Sequence, residues 1–203
     1  MYLIHPKRIW RRLCQMRQLY PFRKQAKKFG VQLIIGKNVR IADCSVSIGK
    51  YHRNSSNHKL IIEDYCDLQY TSFAFNGSNN TIRIGEGTKI NAGKRSRTVF
   101  HVGDDSSVII GEDCLFSNTI TFCTTDYHKV YDQRGNRLNQ NKDIIVGEHV
   151  WIGQKVYICK GVSIPNNSVV GACSVVTKSF NQENVIIAGN PASIKKENIH
   201  WEP

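Results

Sequence analysis

Seven histidines and seven cysteines are the side chains here best suited to acid–base or metal chemistry. Histidine titrates near neutral pH, so a placed imidazole can take the proton from an attacking hydroxyl or amine. His128 closes the run Thr124-Thr125-Asp126-Tyr127-His128, with the carboxylate of Asp126 two residues before it. A lone histidine in a polar stretch is equally what a solvated loop looks like, and residue types alone leave both readings open. His52 and His58 fall in a polar insertion, His101 precedes a glycine turn, and His149 reads as a surface turn before Val150-Trp151. The cysteines (Cys14, Cys44, Cys66, Cys114, Cys123, Cys159 and Cys173) form no C-x-x-C pair and no zinc spacing. With no tight histidine cluster either, no metal site is expected. An odd number of thiols without a disulfide framework points to reduced cysteines in a cytoplasmic protein.

The elements that must position these groups announce themselves by period. Val146, Ile152, Ile158, Ile164, Val170 and Val176 are β-branched aliphatics spaced six apart, and Val150, Val156, Val162, Ser168 and Ser174 fill the fourth place after each of the first five. Six fits neither a helix nor an amphipathic strand; it is the period of a parallel β-helix whose short strands stack coil upon coil. Partial repeats at Ile35, Ile62, Ile84 and Ile110 extend the pattern back to Val31, with Cys66 and Cys114 in the same small-residue slot and so read as packing. Residues 125–143 break the period with charge and hydrogen-bonding groups, which marks a loop thrown out from regular coils. Val185-Ile186-Ile187 and the turn Gly189-Asn190-Pro191 read as a closing strand, followed by a polar tail or short helix.

Charge is placed unevenly. Eleven of the formal +12 lie in residues 1–40, which hold no Asp or Glu, leaving +1 for residues 41–203. Nucleic acid is not an expected partner, since the body carries no basic face interleaved with aromatics. Ile9, Leu13, Met16 and Tyr20 fall at helical spacing, so residues 1–30 read as one or two basic amphipathic helices, broken or reopened at Pro21 and ended by Gly30. Such a segment covers the open end of a β-helix, or lies against anionic lipid, or both. No signal-peptide core and no apolar run of transmembrane length is found, which suits a cytoplasmic protein at the inner face of a membrane. Three regions follow: a basic helical segment 1–30, a β-helix 31–180 with its loop 125–143, and a closing strand and tail 181–203.

The run Val146-Gly147-Glu148-His149-Val150-Trp151-Ile152-Gly153, with Gly161-Val162-Ser163-Ile164, Val169-Val170-Gly171-Ala172-Cys173-Ser174 and Ala188-Gly189-Asn190-Pro191-Ala192, resembles the hexapeptide-repeat acyltransferases. The likeness is dense over residues 110–196, looser over 31–109 and absent before 30. It implies a mainly β fold, a left-handed parallel β-helix of hexapeptide repeats behind an N-terminal helical segment, and a homotrimer with acetyl-CoA in the groove between subunits. It implies His128 as general base, with Asp126 orienting it or touching the acceptor, and Trp151 beside the groove. Gln154, Ala172, Thr177, Lys178 and Lys196 match positions that hold CoA, although Cys173 and Pro165 stand where glycine is common.

The polar arm Tyr131–Asn139 looks like that of enzymes that O-acetylate capsular or lipopolysaccharide sugars, and Lys129 replaces the proline that follows the histidine in small-sugar enzymes. The expected activity is transfer of acetyl from acetyl-CoA to a hydroxyl of a surface polysaccharide or its precursor. The alternatives are an N-acetyltransferase of a nucleotide-linked amino sugar or of a small antibiotic, and a non-catalytic β-helix scaffold.

Overall fold

The computed structural model describes residues 18–52 and 54–203. Among these residues one helix, α1 (residues 18–28), precedes twenty short strands. β1 (Val31–Ile35), β4 (His58–Ile62), β7 (Asn80–Ile84), β10 (Ser107–Ile110), β13 (Ile144–Val146) and β16 (Ser163–Ile164) form one parallel sheet, the first face. β2 (Arg40–Ala42), β5 (Asp67–Gln69), β8 (Lys89–Asn91), β11 (Leu115–Phe116), β14 (Trp151–Ile152) and β17 (Val169–Val170) form the second face. That face is extended by β19 (Ile186–Gly189) and by β20 (Ala192–Lys196), which pairs antiparallel. β3 (Ser45–Ile48), β6 (Thr71–Asn76), β9 (Thr98–Gly103), β12 (Thr121–Cys123), β15 (Tyr157–Cys159) and β18 (Val175–Val176) form the third. The chain visits the three faces in turn, so each coil contributes one strand to each, and the result is a left-handed parallel β-helix.

The six-residue period has a direct structural meaning. Val146, Ile152 and Ile158 point inward from the three faces of one coil, and each pairs with the residue eighteen further on: Ile164, Val170 and Val176. All six are buried, and each contributes about 1.5–3 kcal/mol by leaving water. The small residues Val150, Val156, Val162, Ser168 and Ser174 fill the corners between faces and are also buried. The two serines satisfy their hydroxyls on backbone carbonyls, Ser168 on Asn166 O and Ser174 on Gly171 O. Cys66 and Cys114 occupy the same corner slot as expected, buried, with thiols that burial pushes up to about 12. They are packing groups, not nucleophiles.

At the corner between the first and second faces, Asn38, Tyr65, Gly87, Asp113, His149 and Asn167 all take the left-handed conformation, φ 50–71°. Each of the last five donates its N–H to a carbonyl of the coil before it, as Asp113 does to Glu86 O and His149 to Glu112 O. The bond recurs whatever the side chain, so the turn itself uses only the backbone of His149 and leaves its ring free for other contacts. Gly85, Gly111 and Gly147 stack in the same corner, where a Cβ on Gly85 or Gly111 would come within 2.6 Å of the next glycine's backbone.

Helix α1 covers the first coil. Phe22 and Ala26 are buried, Phe22 meeting Phe73 edge-on at 6.0 Å between ring centroids. Gln18 and Gln25 accept hydrogen bonds from the backbone N–H of Asp43 and Val46. The helix runs through Pro21 and ends before Gly30 at φ 64°; the expected helical pattern at Ile9, Leu13 and Met16 lies outside the described residues. At the other end β20 folds back on β19. The tail beyond it carries one feature that composition did not announce, a buried Trp201.

Candidate active site

Ile110 pairs directly with Val146 across β10 and β13, although thirty-six residues separate them. A coil needs eighteen, so the other eighteen leave the prism at the corner between the third and first faces. This arm roots on Thr124, whose hydroxyl accepts from Gly103 N at 2.8 Å and lies 2.7 Å from Ser106 Oγ, and on Lys142 N to Thr124 O. Asp143 accepts from Ser107 N, and Asn141 donates to Asp104 O. Further out the arm is a small hairpin. Tyr131 bridges Arg137, and Asp132 closes the tip by accepting from the N–H groups of Arg134 and Asn136 and from the Asn136 amide. Those bonds hold the Asp132 carboxyl below the usual carboxylate range.

His128 sits on the near limb of this hairpin, exposed, and no hydrogen bond to its imidazole is found among the described residues. It is reached through a tight turn in which its N–H donates to Asp126 O at 2.7 Å. Tyr127, between them, is held at φ 61°, a conformation that an aromatic residue adopts rarely and that recurs where a site needs a particular aim. Tyr127 lies edge-on against His101, 5.7 Å between centroids. Burial lowers the His101 pKa, so that ring is neutral at pH 7, and its Nδ1 has no hydrogen-bond partner among the described residues.

Asp126 does not turn toward the imidazole. Its Oδ2 takes an ion pair from Lys160 on the next coil and a 2.9 Å hydrogen bond from the Asn139 amide. The Lys160 bond is the main reason its carboxyl lies below the usual range, with Asn139 adding to it. The pair is therefore present at neutral pH and is lost only as pH falls through that lowered value. Neither Lys160 nor Asn139 carries a signal of this role in sequence, because the contacts cross thirteen and thirty-four residues.

Thr177 and Lys178 lie at the same corner as the arm, two coils further along, and are exposed. Lys178 Nζ rests 5.8 Å from the Phe180 ring centroid. The remaining expected residues lie elsewhere on the prism. Trp151 opens β14 on the second face and is 40% exposed. Gln154 and Ala172 are exposed at the corner between the second and third faces, stacked in successive coils, with Cys173 N donating to Gln154 O. Cys173 is left-handed there at φ 60°, which explains why glycine would suit the position. Lys196 ends β20 at the edge of the second face and is exposed. One copy of the chain thus places His128 at one corner and Trp151, Gln154, Ala172 and Lys196 around another side.

Trp151 has company that the sequence did not reveal. Trp201 stacks on the His149 ring at 4.1 Å and lies 6.1 Å from Trp151. Two bonds join the tail to the turn, Trp201 Nε1 to His149 O at 3.0 Å and His149 Nε2 to Trp201 O at 3.2 Å. Among the described residues no group of three or more His, Cys, Asp or Glu side chains is placed to hold a metal ion.

A prism of eighteen-residue coils, three six-residue repeats to each, with a histidine-bearing arm at one corner defines a transferase of the hexapeptide β-helix class. Residues 143–178 match the family model described as bacterial transferase hexapeptide (six repeats). The chain is 35% identical to the galactoside O-acetyltransferase of Escherichia coli K12 over 72% of its own length and 74% of that protein. To the polysialic acid O-acetyltransferase of Neisseria meningitidis it is 35% identical, covering 72% of this chain and 76% of that one. The Escherichia coli O1:K1 polysialic acid O-acetyltransferase is 37% identical over 119 residues, and there the chain spans only 37% of the relative. The crystal structure of the polySia-specific acetyltransferase NeuO superposes with a TM-score of 0.64 at 33% identity, covering 86% of this chain and 79% of that one. The chain belongs to the hexapeptide-repeat acyltransferases.

Proposed function

We propose that this protein transfers acetyl from acetyl-CoA to a sugar hydroxyl of a surface polysaccharide or its precursor, with His128 as general base. The observation that carries the reading is the eighteen-residue arm, which leaves an otherwise regular coil and presents an exposed, unpaired imidazole at its near limb. Neutral His128 takes the proton of the acceptor hydroxyl as its oxygen attacks the thioester carbonyl. The tetrahedral oxyanion then expels CoA thiolate, and the imidazolium returns the proton to that sulfur. No covalent enzyme intermediate is needed. The names of the relatives, which include polysialic acid and galactoside O-acetyltransferases, support a carbohydrate acceptor and an acetyl donor.

The separation of His128 from Trp151, Gln154, Ala172 and Lys196 on one chain supports a homotrimer. In it the arm of one copy faces the second face of the next, and acetyl-CoA lies in the groove between them. Asp126 then acts as an anchor of the arm, not as a partner of the imidazole. The experiment for the reaction is product analysis: acetyl-CoA is consumed only with an oligosaccharide present, and mild alkali removes the acetyl group. An alkali-stable product means amide formation and overturns the hydroxyl acceptor.

Outside the arm, Arg23, Lys24, Lys27 and Lys28 are all exposed on α1 while Phe22 and Ala26 face the first coil. Among the described residues no helix is long and apolar enough to cross a membrane. The basic outer side of α1 supports peripheral contact with an anionic lipid surface, at about 1 kcal/mol per basic residue near it. The protein is expected to sediment with phosphatidylserine vesicles at low salt and to leave them at about 0.5 M salt. Lys24→Glu with Lys27→Glu should abolish the binding; sedimentation that ignores both salt and these charges would overturn the contact.

A further inference from the structure

Asn139 is the far-limb residue of the arm that meets the near limb at the histidine. Its amide Nδ2 donates to His128 O at 2.7 Å and to Asp126 Oδ2 at 2.9 Å. Its Oδ1 accepts from Val130 N at 2.7 Å. One side chain therefore ties the backbone at residue 128 and at residue 130, and also the carboxylate at 126. The carboxylate is fixed to the prism in turn, because Lys160 pairs with it from the turn that follows β15. The far limb is braced as well: Leu138 N donates to Val130 O at 2.8 Å and Arg137 Nη2 to Asn139 O at 3.2 Å. The imidazole itself has no such support, being exposed on a turn whose preceding residue, Tyr127, is held left-handed. A base that must meet one hydroxyl in one direction needs its backbone fixed when its ring is not.

We propose that Asn139 is a positioning residue for His128, clamping the loop on both sides of it onto the Lys160–Asp126 pair of the adjoining coil. The inference rests on the reading of His128 as the base, and it names what holds that base. No other side chain of the arm bonds to both sides of residue 128. Asparagine fits the task because it offers two donors and one acceptor in a plane. Alanine removes all three bonds, and leucine, of similar size, keeps the volume without them.

The decisive experiment compares Asn139→Ala and Asn139→Leu in wild-type and His128→Ala backgrounds, with hydrogen exchange read at the Val130 amide. In the wild-type background kcat is expected to fall about 10–100-fold for a misplaced base, while KM for acetyl-CoA stays within about threefold. In the His128→Ala background the same substitutions should change residual turnover less than about twofold, because groups acting as a unit are not additive. An equal loss in both backgrounds means a general structural role and overturns the proposal. So does a kcat within about twofold of wild type in Asn139→Ala, by the same kinetic comparison. Exchange keeps the two ideas apart: the Val130 amide should lose its protection in both Asn139 variants, and unchanged protection removes the clamp. If His128→Ala alone keeps full turnover, the base reading fails; lost protection at Val130 then still establishes the tether, and its purpose for His128 is overturned with the base.

Discussion

His128→Ala is expected to lower acetyl transfer by about 10²–10⁴-fold, the usual contribution of a placed general base. Acetyl-CoA affinity, measured by calorimetry, should stay within about twofold, because the imidazole is not among the expected CoA contacts, and Trp151, Gln154, Ala172 and Lys196 lie on another side of the prism. The residual rate comes from bringing the two substrates together, which the histidine does not do. The topology adds a sharper form of the same expectation. His128 and Trp151 stand on different sides of one chain, so if they serve one site they come from two copies. Trp151→Ala chains should also be impaired, and mixing them with His128→Ala chains should restore activity, since each mixed interface with the right order joins an intact His128 to an intact Trp151. Full turnover in His128→Ala would sink the base assignment. Mixed assemblies no more active than the parents would instead sink the shared site.

Phe100→Ala should cost the fold about 3–5 kcal/mol, the range for deleting a buried aromatic that its surroundings cannot replace. Phe100 is fully buried on the third face, between Phe73 and Phe122 in register, with ring centroids 5.3 and 4.5 Å away and nearly parallel planes to both. Coils of a β-helix are held at strand spacing by their hydrogen bonds, so neighbours cannot slide in to fill the hole. The measurement is the denaturant midpoint at fixed protein concentration, since assembly would add its own term. Phe100→Leu, which restores most of the volume, should recover over half of the loss; a shift below about 1 kcal/mol for alanine would mean that the coils collapse around the missing ring, and would overturn the rigid ladder.

The fold was legible because its grammar is local. Val146 to Val176 state the inward positions one by one, and the small residues between them state the corners. The earlier coils were harder to read, since Ile35, Ile62, Ile84 and Ile110 pair with one another at unequal chain separations once loops are spliced into the corners. The aromatic ladder Phe73–Phe100–Phe122 was missed for that reason: its members occupy the same inward place in successive coils, but no constant period links them.

The candidate site was legible as far as the arm and its histidine. What remained hidden were pairings over distance. Asp126 stands two residues before the histidine, but its carboxylate pairs with Lys160 in the turn stacked beside it, a partner that residue spacing does not show. Trp201 lies among polar tail residues, and nothing in its sequence neighbours shows that it folds back onto His149. Such contacts depend on which coils adjoin, a fact the six-residue period supplies only after the coils are counted.

The two ends of the prism also govern how the molecule behaves among its own copies. A stack of parallel coils is a template for more of itself, because a bare terminal strand offers a row of free N–H and C=O groups at the repeat distance of the next coil. Here Gln18 and Gln25 occupy backbone donors of the first coil, and β20 reverses direction against β19. A second molecule arriving end-on meets a helix at one terminus and an antiparallel strand at the other, neither in register with a parallel continuation. At those positions the chain that builds the stack also withholds the template that end-on addition of another copy would need.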